Sequence, residues 1–321
     1  FDKPLSPGRI YQLKLSGIKD CNQNAGAGIA RKPVGIPSEA DSLDMVINEL
    51  LFNPKDEGMD YVELFNRSNN VIEASRIYIA NRNSSGQISP PKKISEVPFL
   101  IFPGDYITIS EDVANLQGQF VVKHQDWLLQ MGTLPSLPDD RGDLIIFNQQ
   151  GKTVDEVKYD EGWHFPLLHN KEGIALERID PGKPTQSKDN WTSASSASGY
   201  GTPTYRNSQY KETGNSNGTI SVVPLLFSPD NDGLDDFCFI HYEMNGPNYV
   251  ANIFIFDLNG RLLRRLYNNA TLSQRGDLRW DGLGEGGRSL SAGIYVIYTE
   301  VFNLEGKSKR FKNVVTLAKK F

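Results

Sequence analysis

Apolar and polar residues alternate along this chain in short runs, each closed by turn-forming residues. Tyr11, Leu13 and Leu15 alternate with Gln12, Lys14 and Ser16, the period-two pattern of a strand with one buried face. In DYVELFNRS, Tyr61, Glu63 and Phe65 face opposite to Val62 and Leu64. MVINELLFNP reads as a strand stopped by Asn53-Pro54, a turn signal. Further strands are expected over 76–81, 105–110, 120–123, 143–148, 153–159 and 173–178. The stretch 113–131 is the one place with room for a helical turn. In YVANIFIFDLNGRLLRRLY, Asn259-Gly260 is a two-residue hairpin signal. Many short strands spaced by turns predict an all-β chain of tandem Ig-like β-sandwiches.

Length and composition divide that pattern. At 321 residues the chain is long enough for two or three units. Gly (29) and Pro (18) far outnumber Met (4), which suits tight turns better than a helical bundle. Residues 1–41 read as the last strands of a truncated unit plus a Gly/Ala/Pro-rich linker from about 24. Residues 42–207 form a second unit, 208–218 a polar linker and 219–321 a third unit. The chain opens on Phe1 in what reads as mid-domain sequence, so the missing signal peptide is taken as trimming.

Charge narrows the partners. A net charge of −5 and a pI near 5.5 lack the basic excess of a phosphate-binding surface. Arg261, Arg264 and Arg265 read as a solvated strand face, so nucleic acid is not expected as a partner. The sequence holds no apolar run long enough for a spanning helix. Cys21 and Cys238 fall in different units and read as free thiols.

The densest candidate chemistry is SPDNDGLDDF. Asp230, Asp232, Asp235 and Asp236 crowd four carboxylates around Gly233. Such groups repel unless a cation or hydrogen bonds hold them, and Ca²⁺ prefers oxygen ligands of this kind. The alternative is an Asx-turn motif in which the same carboxylates tie backbone N–H groups. His164, His169 and Glu172 could suggest a metal or an acid–base pair, but their spacing fits neither a helix face nor a strand face, and an ordinary loop is the expectation. Arg141-Gly142-Asp143 is an adhesion tripeptide only if it sits at a hairpin tip; here it leads into LIIF and reads as turn-to-strand. The Ser-rich WTSASSASG reads as a loop, and Trp280 as the core anchor of a hairpin. No nucleophile elbow or phosphate-cradling loop is present, so no catalytic residue is assigned.

Several ordered series carry resemblances. YQLKLSGIKD with the Asp20-Cys21-Asn22-Gln23-Asn24 turn resembles the last strands of bacterial Ig-like domains. VINELLFNP, DYVELFNRSNN, FPGDYITIS, GDLIIFNQQGKTVDEVKYDEGW, GIALERIDP and GYGTPTYRN together resemble the lamin-tail domain, an Ig-like sandwich. Asn48-Glu49 and Val62-Glu63-Leu64 with Asn66 are its most specific words. This copy has extra length at about 83–93 and 114–140, where loops could carry a private binding function. FSPDNDGLDD, IFDLNGR, WDG and LSAGIY resemble the Ig-like domain of flagellar hook-capping proteins and the C-terminal domains of Bacteroidetes gliding-motility and type IX secretion cargo. Asp41-Ser42-Leu43 resembles the O-glycosylation sequon of that phylum. These resemblances imply a non-catalytic structural or interaction module, exported or on the cell surface, binding protein or polysaccharide. The alternative they leave open is the non-catalytic end of a larger secreted nuclease or phosphatase.

Overall fold

The computed structural model describes residues 4–7, 9–15, 17, 19–24, 30–168, 170–211 and 218–319. Among them strands dominate, and a single α-helix occurs. Among the described residues no helix is long and apolar enough to cross a membrane. The chain is all-β and built of β-sandwiches.

The first segment is a ribbon. β1 (Ile10–Leu15) pairs antiparallel with β2 (Ala30–Gly35), Ile10 opposite Gly35. Asp20 accepts the Asn22 and Asn24 N–H groups (2.9 and 2.8 Å) and closes the expected turn. The linker expected from 24 to 41 is therefore partly strand. Its composition is linker-like, but a backbone next to an unpaired strand finds ladder partners whatever its side chains. Its end lies on the second unit: Ser38 N donates to Val71 O (2.8 Å), and Ala40 is buried.

The second unit contains β3 (Met45–Leu51), β4 (Tyr61–Asn66), β5 (Ile72–Glu73), β6 (Ile77–Asn81), β7 (Lys92–Lys93), β8 (Leu100–Ile101) and β9 (Tyr106–Ser110). After helix α1 (Val113–Gln119) come β10 (Leu128–Gln130), β11 (Arg141–Asn148), β12 (Thr153–Asp160), β13 (Leu176–Arg178) and β14 (Trp191–Ser193). Two sheets, β10-β9-β4-β3-β13-β14 and β12-β11-β6-β7, face each other. Ile47, Val62, Leu64 and Ile107 from the first meet Ile79, Leu144, Ile146 and Val157 from the second in one core. Beside this core, buried Arg178 donates to Ile47 O (3.1 Å) and pairs with Asp155 at 3.5 Å. Asp155 in turn accepts Ile47 N (2.9 Å), so a buried ion pair fastens sheet to sheet. The helical turn falls in the stretch that has room for it, and Asp112 caps it by accepting the Ala114 and Asn115 N–H groups. The strand expected at 120–123 does not form. Phe120 instead ends α1 and sets its ring edge-on to Tyr61 at 5.6 Å. The expected Ser-rich loop opens as strand β14.

The third unit contains β15 (Thr219–Val223), β16 (Leu226–Phe227), β17 (Cys238–Glu243), β18 (Tyr249–Asp257), β19 (Leu262–Leu272), β20 (Arg275–Trp280), β21 (Gly293–Asn303) and β22 (Ser308–Leu317). Sheets β15-β17-β20 and β16-β22-β21-β18-β19 enclose a second core. The β18–β19 hairpin forms as expected, but with a longer turn. Gly260 N donates to Asp257 O, so Leu258 and Asn259 are the central pair and Gly260 takes the left-handed position (φ 78°). Trp280 is fully buried, edge-on to Phe227 (5.3 Å) and Tyr295 (5.6 Å), and its Nε1 donates to Leu283 O (2.9 Å).

The units touch. Ser196 N donates to Thr271 Oγ1 (3.0 Å) and Ser196 Oγ to Thr271 O (2.9 Å). Gln209 Nε2 donates to Leu272 O (3.1 Å). The expected linker 208–218 is thus anchored at its start, with Gln209 buried. Trp280→Ala should lower the stability of the third unit by about 3–5 kcal/mol, measured by urea denaturation followed through tyrosine and tryptophan fluorescence.

Candidate functional site

The aspartate turn lies between β16 and β17. Asp230, Asp232 and Asp236 each present a carboxylate oxygen within 4.8 Å of the others. Asp235 does not join them; it stands in the left-handed region (φ 51°) and contributes its carbonyl, which accepts Ser228 N (3.0 Å). The sequence-based set of four ligands is therefore a set of three, because a backbone reversal at Asp235 takes its side chain out of the group. The three carboxylates already hold the turn. Asp236 accepts Asn231 N (2.6 Å) and Gly233 N (2.9 Å), and Asp232 accepts Leu234 N (2.9 Å). This is Asx-turn chemistry, and the same oxygens keep lone pairs that could face a hard cation.

The other sequence candidates are scattered. His164 is buried, its Nδ1 2.8 Å from Ser193 Oγ. Burial first, then Lys171, pushes its pKa down to about 3, so it stays neutral. His169 lies outside the described residues, and Glu172 accompanies no ligand group among them. Arg141-Gly142-Asp143 begins strand β11 and is not a hairpin tip. Cys238 is buried, its thiol pushed up to about 12 by burial, while Cys21 is exposed and free. Arg264 pairs with Asp281 at 2.5 Å, and Arg261 with Asp257 at 3.2 Å. Ser42 of the sequon is exposed beside Leu43, which has a positive φ of 62°.

Sequence reasoning missed the most heavily perturbed groups. Glu49, Glu63 and Glu177 are fully buried on the outer face of the six-stranded sheet. A bulge between Ile47 and Glu49 shifts the parity of β3, so that Met45, Ile47, Leu50 and Phe52 all point into the core while Glu49 and Leu51 point out. The outer face is not wet. Helix α1 and the segment 200–211 lie over it, with Leu51, Tyr61, Leu116 and Phe120 forming a small second core. Glu63 accepts Asn48 Nδ2 (2.9 Å), Thr108 Oγ1 (2.9 Å) and Thr204 N (2.7 Å). Glu49 accepts Tyr61 Oη (2.7 Å) and Thr202 N (2.9 Å). Glu177 accepts Gln209 N (2.8 Å) and Ser208 Oγ. Thr202 Oγ1 lies 2.8 Å from Glu49 and 3.0 Å from Glu177. A hydroxyl has one proton to give, so one of those contacts uses a proton that a carboxyl retains. Burial accordingly raises all three glutamates, with Glu177 and Glu63 adding charge repulsion at Glu49, and it takes Glu63 up to about 8. The available signal was the run MVINELLF, in which apolar residues occupy both parities, as in a strand buried on two faces.

No protein-family model matches the chain, and no curated protein does. Solved structures with a partial likeness include dimeric latent PorU from Porphyromonas gingivalis, at 12% identity and TM-score 0.24, covering 90% of this chain and 22% of that one. PorZ of the same organism, described as an essential bacterial surface component of the type IX secretion system, matches at 11% identity and TM-score 0.27, covering 98% of this chain and 44% of that one. A Salmonella alpha-2-macroglobulin matches at 10% identity and TM-score 0.21, covering 99% of this chain and 22% of that one. The chain spans less than half the length of each of these proteins.

An unfolded glutamate loses its proton near 4.5, whereas folded Glu63 keeps it to about 8. Between those values the folded state binds more protons, so stability falls as pH rises. The stabilisation is complete below 4.5 and is lost as pH passes about 8. Calorimetry should find a lower Tm at about pH 9 than at about pH 6, and Glu63→Gln should flatten the difference.

Proposed function

We propose that this chain is a non-catalytic interaction module of an exported bacterial surface protein. A lamin-tail-like sandwich and a C-terminal Ig-like sandwich hold its binding loops. The observation that carries the reading is how the reactive groups are used. The glutamates of the second unit are sealed under 200–211, His164 is buried and neutral, and the aspartates tie a turn. None of these offers a nucleophile and base side by side at an open surface, the arrangement chemistry needs. The Ser196–Thr271 and Gln209–Leu272 contacts support presenting the surface loops from one braced pair of sandwiches.

The labelled intact chain should be retained on bacterial cells or isolated outer envelopes well above a heat-unfolded control. Equal retention of the two samples refutes the reading. Ca²⁺ is the ion this reading assigns to the 230–236 turn. Millimolar Ca²⁺ should raise the Tm of the intact chain, and Asp236→Ala should abolish the rise. A Tm indifferent to Ca²⁺ removes the ion and leaves the turn.

A further inference from the structure

A cleft of about 780 Å³ in the second unit lies where the loop after β6 and the loop before β11 meet the first residues of β11 and the last of β12. That volume is in the range of sites that hold small ligands. Both loops belong to the extra length at 83–93 and 114–140 that the lamin-tail pattern does not require.

The walls of the cleft are fixed. Asn81 Nδ2 donates to Ser136 O (3.3 Å), joining the two loops. At Gly142 a Cβ would lie 2.5 Å from Tyr159 Oη, so only glycine leaves room for that ring. The Tyr159 hydroxyl is held in turn by Pro138 O (2.9 Å). Trp163 lines the cleft half-buried, packed against the core with Trp191 6.2 Å away, so its ring is held in place. Arg82 is clamped between Asp143 (3.4 Å) and Glu156 (3.3 Å), and Lys158 lies 3.7 Å from Asp143.

These features select a ligand class. An apolar ligand would strip water from the Arg82, Asp143 and Lys158 groups and return no hydrogen bonds. A polyanion would find cations already neutralised by neighbouring carboxylates. A sugar meets both halves of the site. The C–H face of its ring packs on an indole, and its hydroxyls donate to a carboxylate while accepting from a guanidinium or ammonium.

We propose that this cleft binds a saccharide, with one sugar ring stacked on Trp163 and its hydroxyls paired with Arg82, Asp143 and Lys158. The proposal rests on the surface-module reading and names its ligand. The test uses the intact chain on a printed array of defined glucose, mannose, rhamnose and N-acetylglucosamine oligosaccharides, followed by calorimetric titration of the brightest probe. Binding is expected, weakened at least about ten-fold by Trp163→Ala. Ser84→Trp, on an exposed lining loop, should fill the cleft and weaken binding as much with an unchanged Tm. That second variant separates a blocked cleft from a damaged fold. A blank array, or binding undiminished in Ser84→Trp, overturns the proposal. If the array is blank while both variants are still retained on cells, the saccharide cleft falls and the surface module stands. Loss of array binding and of cell retention in the unmodified chain removes both.

Discussion

A buried carboxyl group without hydrogen-bond partners is too costly to keep, and this chain buries three of them on the outside of one sheet. Glu49, Glu63 and Glu177 make the segment 200–211 part of the structure. Thr202, Thr204, Ser208 and Gln209 of that segment donate to the glutamates through backbone or hydroxyl groups. Asn207 adds a further tie by donating to Asn48 O (2.9 Å) and Arg178 O (2.8 Å). The segment accepts backbone strain to do so: Thr204 sits at φ 70°, a region β-branched residues rarely enter. Such a conformation costs about 1–3 kcal/mol and persists because its N–H reaches Glu63. Gly201 meets a related demand, since a Cβ there would lie 2.7 Å from both the Phe120 ring and Tyr61 Oη.

The same segment sets the junction between the sandwiches. It leaves the glutamates at Gln209, whose side-chain nitrogen reaches Leu272 O and whose side-chain oxygen accepts Asn248 N (3.4 Å). From the other side, Ser196 follows β14 by three residues and meets Thr271. Both contacts join β19 to groups that the buried network already orders. Satisfying three carboxyls in the second unit therefore also positions its neighbour.

The polar groups divide by environment. The buried glutamates of the second unit are hydrogen-bonded and shielded from water, and burial raises their proton affinities. Those in the 230–236 turn accept their own backbone N–H groups. The groups around Trp163 are oriented by neighbours and line an open cleft.

The alternation of the chain was enough to specify an all-β fold, strands β3, β4, β6, β9, β11, β12 and β13, the room for a helical turn after Asp112 and the hairpin closed by Gly260, but not the short strands β5, β7, β8 and β10. Those features depend on local periodicity and turn chemistry, which a sequence carries directly. The core reading of Trp280 also followed, because a large ring in a strand pattern has few other places to go. The aspartate turn was legible as a cluster, but its membership was not, since one left-handed residue, Asp235, decides which side chains converge. The linkers were misjudged at Ala30–Gly35 and at Ser208–Gln209 because composition says nothing about which backbone groups lie nearby. Least legible was the second burial of the outer sheet face. Glu63 alternates with Val62 and Leu64 as a solvent-facing residue would. Only the return of a segment some 140 positions later, with the parity change of the bulge at Glu49, puts it in the dark.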